Sequence, residues 1–344
     1  MTRNRYITLR LKLIVRLARN GKLTVTKLVN AAMCMLAYAL RRRHSARYPM
    51  LINFETGNEC NSDCLFCRDE RGAIYDQDPR GTGEPIPKGE LPFDVYADII
   101  RQVHRHLMLA VLYVNGEPLM YKDLFRAIQL ATESRVATMI ATNGILLTET
   151  NSTRLLDAGL DFIKIAISGF TPATYRVQHR RGNIDQIKRH IETLVRLNAR
   201  RGSPMLIMLD YILYEHNRHE LPLVRAFCDT LNIVLSIRPG NIRGLEESEP
   251  DLQRAVSSSR RYPPCDWLWK VLTVNWTGDI FPCCDCCVWS GAQPYGQYRI
   301  GQTDLAALWQ NPQACAYRML HKTKGRSALS FCANCTRLGL HFKY

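Results

Sequence analysis

The stretch LINFETGNECNSDCLFC, residues 51–67, joins a short apolar run to three closely spaced cysteines. The run 51–54 predicts a short buried strand, because it is apolar, brief and bounded by polar residues. Cys60, Cys64 and Cys67 follow on one loop, with no fourth cysteine nearby in the sequence. A zinc site usually takes four ligands, whereas three thiolates can hold three irons of a 4Fe-4S cluster and leave one iron open. The triplet therefore favours an iron–sulfur centre over zinc.

Further apolar runs follow the cysteine loop and alternate with helix-like stretches. Such alternation predicts parallel β/α units joined by right-handed crossovers. The sequence is compatible with an open, partial barrel or with a doubly wound sheet, and both place the chemistry at the carboxyl ends of the strands. The predicted strands are 51–54, 110–114, 138–142, 162–167, 206–211 and 233–238. The predicted helices are 93–107, 121–134, 149–158, 183–200 and 217–231.

Composition indicates a globular protein with metal centres. A chain of 344 residues with 46% hydrophobic content can bury a large core. The thirteen cysteines cluster near residue 60, at 265–287 and at 332–335, which favours metal binding over disulfides. The net charge of +15 is uneven, because residues 1–54 contain twelve lysines and arginines and no acidic residue. We therefore do not expect a basic patch on the body of the protein.

Residues 1–47 predict a basic helical N-terminal arm. Its uncharged segment 28–40 is shorter than the ~20 residues that a membrane-spanning helix needs. Arginines follow this segment instead of preceding it, which disfavours a signal peptide, so we expect a cytoplasmic protein. Two interpretations stay open: a helix packed on the domain, or a peripheral contact with an anionic membrane or a partner. A nucleic-acid partner is disfavoured, because no nucleic-acid motif accompanies the charge. The apolar positions at helical spacing are Leu28, Val29, Ala32, Met33, Leu36 and Leu40.

The Cys-x3-Cys-x2-Cys triplet resembles the signature of the radical S-adenosylmethionine superfamily, and the resemblance extends over residues 48–344. It implies a partial (β/α)6 TIM-like barrel over residues 48–245, in which Cys60, Cys64 and Cys67 bind the 4Fe-4S cluster. It also implies that residues that follow other strands bind S-adenosylmethionine. The alternative is that these residues only form turns. The implied cofactor-binding residues are Phe66, Gly116, Glu117, Pro118, Asn143 and Ser168, and Arg180, Arg181 and Asn217 are weaker candidates.

A second cysteine set lies near the C-terminus. The spacing of Cys265, Cys283, Cys332 and Cys335 resembles the twitch extension, a shortened relative of the SPASM domain. The resemblance implies that residues 260–344 form a twitch-type extension in which these thiols bind one auxiliary 4Fe-4S cluster. A structural zinc ion is the alternative, since four-cysteine sites also suit zinc.

Three surplus cysteines, Cys284, Cys286 and Cys287, follow Cys283 directly. One of them could donate a hydrogen atom to a substrate radical, or all three could be small buried side chains or alternative ligands. Arg238, at the end of the sixth predicted strand, could orient a substrate hydroxyl or carboxylate, or could pair with an acidic residue.

The resemblance implies that a 5'-deoxyadenosyl radical abstracts hydrogen from a substrate C–H bond. The cysteine pattern is most similar to aminocyclitol and carbohydrate dehydrogenases and epimerases of antibiotic biosynthesis. We therefore expect a small-molecule or oligosaccharide substrate and an external electron donor such as flavodoxin or ferredoxin. The surplus thiols favour epimerisation over two-electron oxidation. A ribosomal peptide maturase and a non-catalytic iron–sulfur carrier are the other candidates.

Overall fold

The computed structural model describes residues 12–65, 67, 87–240, 263–288, 292–333 and 335. Phe66, which was expected near the adenine of the cofactor, lies outside these residues.

The described residues form one sheet of nine strands: β1 (Leu51–Phe54), β2 (Leu109–Val111), β3 (Ala137–Thr142), β4 (Phe162–Ile167), β5 (Leu206–Leu213), β6 (Val234–Pro239), β7 (Val271–Val274), β8 (Asp279–Phe281) and β9 (Gly296–Gln297). Their order across the sheet is β6-β5-β4-β3-β2-β1-β7-β8-β9. The first six strands are parallel and adjacent in chain order. This order confirms the partial barrel and not the doubly wound sheet, because a doubly wound sheet reverses its strand order partway across. β6 and β9 are the two edges, so the described sheet is open.

The C-terminal strands continue the barrel sheet. β7 pairs with β1 in parallel, with Leu51 opposite Val271. β8 and β9 then add as antiparallel strands. The segment that contains the C-terminal cysteines is therefore joined by backbone hydrogen bonds to the strand that precedes the first cysteine triplet.

The helices of the described residues are α1 (12–19), α2 (Val25–Ala39), α3 (Phe93–Val103), α4 (Leu124–Glu133), α5 (Glu149–Ala158), α6 (Pro172–Gln178), α7 (Ile184–Arg200), α8 (Leu221–Thr230), α9 (Trp267–Lys270), α10 (Leu305–Trp309), α11 (Pro312–Thr323) and α12 (Ser330–Ala333). Four 3-10 turns accompany them: Pro118–Met120, Glu215–Glu220, Cys284–Val288 and Arg326–Ala328.

Local signals set the limits of several helices. For α5, the Thr148 hydroxyl accepts a hydrogen bond from the Asn151 backbone N–H, and Gly159 ends the helix with a φ of 83°. The predicted limits of α5 were therefore correct. No helix was predicted at α6, whose seven residues begin at Pro172 directly after Thr171.

The sheet separates two apolar layers. Ile163, Ile165 and Ile167 of β4 belong to the larger core, which also contains buried residues of the surrounding helices. Phe162 points to the opposite face, because successive side chains of a strand alternate. On that inner face it packs with residues of β1, β2, β3, β5 and β7, and Leu17 of α1 belongs to the same cluster. The start of the N-terminal arm thus closes one end of the barrel interior.

A buried ion pair fixes this closure. The Lys22 ammonium lies 2.7 Å from a carboxylate oxygen of Asp161, and both side chains are almost fully buried. The Asn20 amide donates to the other Asp161 oxygen at 2.7 Å. Because Asp161 directly precedes β4, these contacts place the arm at the amino ends of the strands.

Candidate active site

The cysteine loop follows the carboxyl end of β1 and is held by the end of α6. The Cys64 thiol is buried and lies 3.1 Å from the Ser62 hydroxyl and 3.0 Å from Nδ1 of His179. The backbones of Cys64 and His179 form a bridge, and the N–H of Leu65 donates to the Gln178 carbonyl at 2.9 Å. The position of Cys64 therefore depends on residues far away in the sequence.

His179 is a neutral, buried ring that links the cysteine loop to β4. Its Nε2 lies 2.8 Å from the hydroxyl of Ser168, which follows β4, and its ring stacks on Tyr175 at 4.2 Å. Burial lowers the pKa of His179 to about 3, so the ring carries no charge at neutral pH. In this structure Ser168 orients His179. The predicted contact of Ser168 with S-adenosylmethionine stays a prediction.

The three thiols of the loop are close enough to influence one another. Burial raises the pKa of the Cys64 thiol, and the neighbouring Cys67 and Cys60 raise it further. The amide of Asn143 approaches the Cys60 sulfur at 3.7 Å. Three thiolates so close together need a compensating positive charge, which the irons of a cluster supply. The donor set therefore fits a cluster held by three cysteines.

The Gly116-Glu117-Pro118 turn lies directly against the cysteine loop. The N–H of Glu117 donates to the carbonyl of Glu59 at 2.8 Å. The Glu117 carboxylate accepts hydrogen bonds from the Thr142 hydroxyl at 2.7 Å and the Asn143 N–H at 2.8 Å. Burial raises the pKa of Glu117 to about 7. The Glu117 side chain thus holds the β2 and β3 loops together, and ammonium binding by this turn stays a prediction.

Gly116 permits this close approach. A Cβ atom at Gly116 would lie 2.3 Å from the carbonyl oxygen of Gly57 and 2.8 Å from that of Glu59. We expect Gly116→Ala to lower the free energy of unfolding by about 3 kcal/mol and to abolish S-adenosylmethionine binding, because rigid backbone must move. Equilibrium dialysis and thermal unfolding would measure both effects. Gly202→Ala is the comparison, since no atom lies within 4 Å of its added Cβ; its φ of 75° strains a side chain, so it should lose about 1 kcal/mol of stability and keep cofactor binding. Cofactor binding by Gly116→Ala at the wild-type affinity would contradict this prediction.

An ionic cluster lines the barrel interior beyond the cysteine loop. The buried carboxylate of Asp210 accepts a hydrogen bond from Arg238 Nε at 2.7 Å and lies 3.0 Å from the Lys164 ammonium. Burial opposes ionisation, but Arg238 and Lys164 keep the pKa of Asp210 below its usual range. Lys164 shares its strand face with Phe162 and therefore points into the barrel. These three groups together carry one net positive charge at neutral pH.

Arg238 was predicted either to orient a substrate or to pair with an acidic residue, and the structure pairs it with Asp210. Its side chain remains 39% exposed, so the ion pair does not exclude contact with a ligand. The role of Arg238 toward a substrate stays a prediction.

Glu55 is a buried acid at the carboxyl end of β1. Its carboxylate accepts hydrogen bonds from the Asn115 amide at 2.5 Å and the Trp276 N–H at 3.4 Å. Burial raises the pKa of Glu55 to about 7, so protonated and ionised forms coexist at neutral pH. A carboxyl group of this kind can act as a general acid or base.

The thiols of the four predicted auxiliary cysteines influence one another's ionisation. Burial raises the pKa of Cys265 to about 12, with a further contribution from Cys283. Burial also raises the pKa of Cys332, and the neighbouring Cys283, Cys265 and Cys335 raise it further. Four thiols are the donor set of a closed iron–sulfur or zinc site, but no three or more His, Cys, Asp or Glu side chains of the described residues are gathered in a metal-binding arrangement. Cluster binding by these individual residues stays a prediction.

The surplus thiols divide into two groups. Residues 284–288 form a 3-10 turn, in which side chains three positions apart face the same way. Cys286 therefore shares the side of Cys283, and their sulfurs are 3.3 Å apart. Cys287 shares the side of Cys284, and after burial the largest influence that raises its pKa is the Glu55 carboxylate. Cys287 thus faces another side of the turn from the Cys283–Cys286 pair, and its sulfur lies 3.9 Å from the Cys283 carbonyl oxygen.

A buried arginine that sequence reasoning missed lies beside the auxiliary cysteines. Arg326 Nε donates to the Pro263 carbonyl at 2.8 Å, and its Nη1 donates to the Cys335 carbonyl at 3.3 Å. Its positive charge favours the thiolate forms of Cys265 and Cys332. Sequence reasoning also gave no role to His179, Lys164, Asp210 or Glu55, because their partners are distant in the chain.

Two family models match this chain. Residues 54–222 match the radical SAM superfamily, and residues 265–336 match SPASM, an iron–sulfur cluster-binding domain. The chain therefore contains a radical SAM superfamily domain over residues 54–222. Its C-terminal part carries the iron–sulfur cluster-binding domain, and the two domains imply S-adenosylmethionine and 4Fe-4S clusters as cofactors. The family resemblance of the cysteine motifs is therefore confirmed.

Curated relatives share about a quarter of the aligned residues. A probable GTP 3',8-cyclase of Methanococcus maripaludis strain C5 is 26% identical over 185 residues, which are 52% of this chain and 55% of that protein. A PqqA peptide cyclase of Granulibacter bethesdensis is 26% identical over 178 residues, which are 51% of this chain and 42% of that protein. The chain spans about half the length of the curated relatives it matches.

Solved structures share the fold over most of the chain. BtrN in complex with AdoMet and 2-DOIA is 17% identical, with a TM-score of 0.53, over 86% of this chain and 96% of that chain. Streptococcus suis SuiB bound to S-adenosylmethionine is 14% identical, with a TM-score of 0.61, over 86% of this chain and 74% of that chain. At these identities the likeness shows the fold alone.

Proposed function

We propose that this enzyme abstracts a hydrogen atom from a carbinol carbon of a carbohydrate or cyclitol and returns hydrogen to that carbon from a cysteine, which gives an epimer. S-Adenosylmethionine bound beside a reduced 4Fe-4S cluster supplies a 5'-deoxyadenosyl radical that abstracts hydrogen from unactivated C–H bonds. The observation that carries the proposal is the turn of residues 284–288, in which the Cys283 and Cys286 sulfurs lie 3.3 Å apart while Cys287 faces another side. The charge of Glu55, at the end of β1, also raises the pKa of Cys287. The first cysteine triplet begins five residues after Glu55.

The environment of Cys287 suits a hydrogen-atom donor. Burial and the Glu55 carboxylate raise the pKa of its thiol well above the usual value, so the sulfur keeps its hydrogen at neutral pH. Donation breaks the S–H bond and forms the substrate C–H bond, which leaves a sulfur radical on Cys287. One electron and one proton then regenerate the thiol. We assign the supply of that electron to an external flavodoxin or ferredoxin acting through the auxiliary cluster.

The polar interior of the barrel supports a polyhydroxylated substrate. Hydroxyl groups both donate and accept hydrogen bonds, so they can satisfy a carboxylate and cations together. The carboxylate is that of Asp210, and the cations are Lys164 and Arg238 on the two neighbouring strands. Next to β1, the Asn53 amide donates to the Thr273 hydroxyl at 3.1 Å. Sugar and cyclitol rings fit this lining better than apolar substrates, because an apolar group placed against these ions would displace water and offer no hydrogen bond in return.

Dehydrogenation of the same class of substrate is the second candidate. Glu55 would accept the hydroxyl proton of the substrate radical, and an electron would pass to the auxiliary cluster, which gives a carbonyl product. Since the pKa of Glu55 is about 7, this reaction would accelerate as the pH rises through 7. A ribosomal peptide maturase is a further candidate, which the likeness to the PqqA peptide cyclase favours.

Deuterated water distinguishes these reactions. The reconstituted enzyme would be incubated anaerobically with dithionite, S-adenosylmethionine and a panel of sugars and cyclitols. We expect 5'-deoxyadenosine and an epimer with one deuterium at the inverted carbon, because a thiol exchanges its hydrogen with solvent. A product lighter by two hydrogens would establish dehydrogenation instead. If no sugar or cyclitol changed while a precursor peptide lost mass, the carbohydrate proposal would be wrong.

A further inference from the structure

Helix α2 exposes its apolar residues to solvent. Among the described residues, nine of the thirteen exposed large hydrophobic side chains lie between residues 12 and 40. Surface helices normally bury their apolar stripe against the core. The exposed α2 side chains, here called the apolar face of α2, are Val25, Leu28, Val29, Met33, Met35 and Leu36.

Polar contacts determine which side of α2 is buried. The ammonium of Lys27 donates to the Arg135 carbonyl, and the Asn30 amide donates to the Tyr48 carbonyl at 3.2 Å. The thiol of Cys34 approaches the Tyr48 carbonyl at 3.5 Å. Lys27, Asn30 and Cys34 are all buried. If α2 rotated to bury its apolar face, the Arg135 and Tyr48 carbonyls would lose these hydrogen-bond partners.

Exposed basic residues precede and follow α2 in the chain. Arg42 and Arg43 are exposed just beyond its carboxyl end, and Lys12 and Arg19 are exposed on α1. Residues 1–54 contain no aspartate or glutamate. An apolar helix face bordered by lysine and arginine is the pattern of helices that lie in a bilayer interface. The charge also selects the lipid, because basic groups are attracted to anionic headgroups.

We propose that the apolar face of α2 inserts into the surface of an anionic lipid bilayer, with Arg42 and Arg43 contacting the headgroups. The fifteen residues of α2 extend about 22 Å at 1.5 Å per residue, and the helix would lie in the plane of the bilayer. None of the helices described in the structure is both long and apolar enough to cross a membrane. This inference does not depend on the proposed reaction.

The attachment leaves the active site accessible. Tyr48 and Arg135, whose carbonyls contact α2, precede β1 and β3, so α2 lies at the amino ends of the strands. The cysteine loop follows the carboxyl end of β1. The bilayer would therefore lie at the end of the barrel opposite to the active site, and the site would face the aqueous phase.

Vesicle sedimentation tests the proposal on the reconstituted full chain. We expect the wild type to sediment with phosphatidylcholine–phosphatidylglycerol vesicles and to bind pure phosphatidylcholine much more weakly. The double variant Val29→Asp, Leu36→Asp should lose at least about a hundredfold in affinity. Its matched control is Leu223→Asp, Ile300→Asp, which changes two half-exposed apolar residues outside the arm and should bind like the wild type. Arg42→Gln, Arg43→Gln should lose about thirtyfold, and only on the anionic vesicles.

Each variant would first be checked for iron content and 5'-deoxyadenosine formation, so that misfolding is recognised. Equal vesicle binding by the wild type and the α2 double variant would overturn the proposal. It would also be overturned if the wild type sedimented as a dimer in the ultracentrifuge, and the α2 variant as a monomer, while neither bound vesicles. In that case a second copy of the chain would cover the apolar face.

Discussion

A Cys64→Ala protein is expected to form no 5'-deoxyadenosine and to contain about four irons per chain, against about eight in the wild type with two 4Fe-4S clusters. The Cys64 thiol is buried, with Ser62 and His179 within 3.1 Å of its sulfur. A cluster that loses one of its three protein ligands is not retained at this site. Anaerobic reconstitution, iron determination and chromatography of the reaction mixture would measure both quantities. Cys60→Ala and Cys67→Ala should behave in the same way.

Cys228→Ala is the matched control for this experiment. Cys228 is buried like Cys64, with 1% of its surface exposed against 8%, and burial raises its pKa as well, but it lies on α8 among apolar residues of the main core. We expect this variant to keep all its iron and its cleavage activity. Normal cleavage of S-adenosylmethionine by Cys64→Ala would refute the assignment of the triplet to the catalytic cluster.

The parts of the fold and site that depend on local sequence were predictable. β1 is short and apolar, and the cysteine spacing that follows it belongs to one loop. The strand, the loop and the class of cofactor could therefore be predicted from the same short stretch of sequence. The limits of α5 followed from Thr148 and Gly159, which act within one turn of the helix. The consecutive order of β1 to β6 did not follow from the pattern, because a partial barrel and a doubly wound sheet share the same alternation of elements.

Contacts between distant residues were not predictable. His179 reaches Cys64 across 115 positions, and Asp210 meets Arg238 across 28, so no local periodicity indicates either pair. The orientation of α2 was also unpredictable. Its amphipathic pattern defines two faces, and an apolar face ordinarily packs inward. Here the hydrogen bonds of Lys27 and Asn30 to backbone carbonyls reverse that preference.

Cys287→Ala is expected to abolish epimerisation while iron content and cleavage of S-adenosylmethionine persist, because the substrate radical would form but receive no hydrogen atom. The measurements are iron determination, 5'-deoxyadenosine yield and deuterium incorporation from deuterated water. Cys286→Ala is the informative comparison, since its sulfur lies 3.3 Å from Cys283 and its loss should disturb the auxiliary site instead. Cys284 shares the side of the 3-10 turn with Cys287, so Cys284→Ala tests whether the neighbouring thiol is the donor. Epimerisation at the wild-type rate by Cys284→Ala, Cys286→Ala and Cys287→Ala alike would remove the thiol donor from the mechanism and leave dehydrogenation through Glu55 as the better explanation of the site.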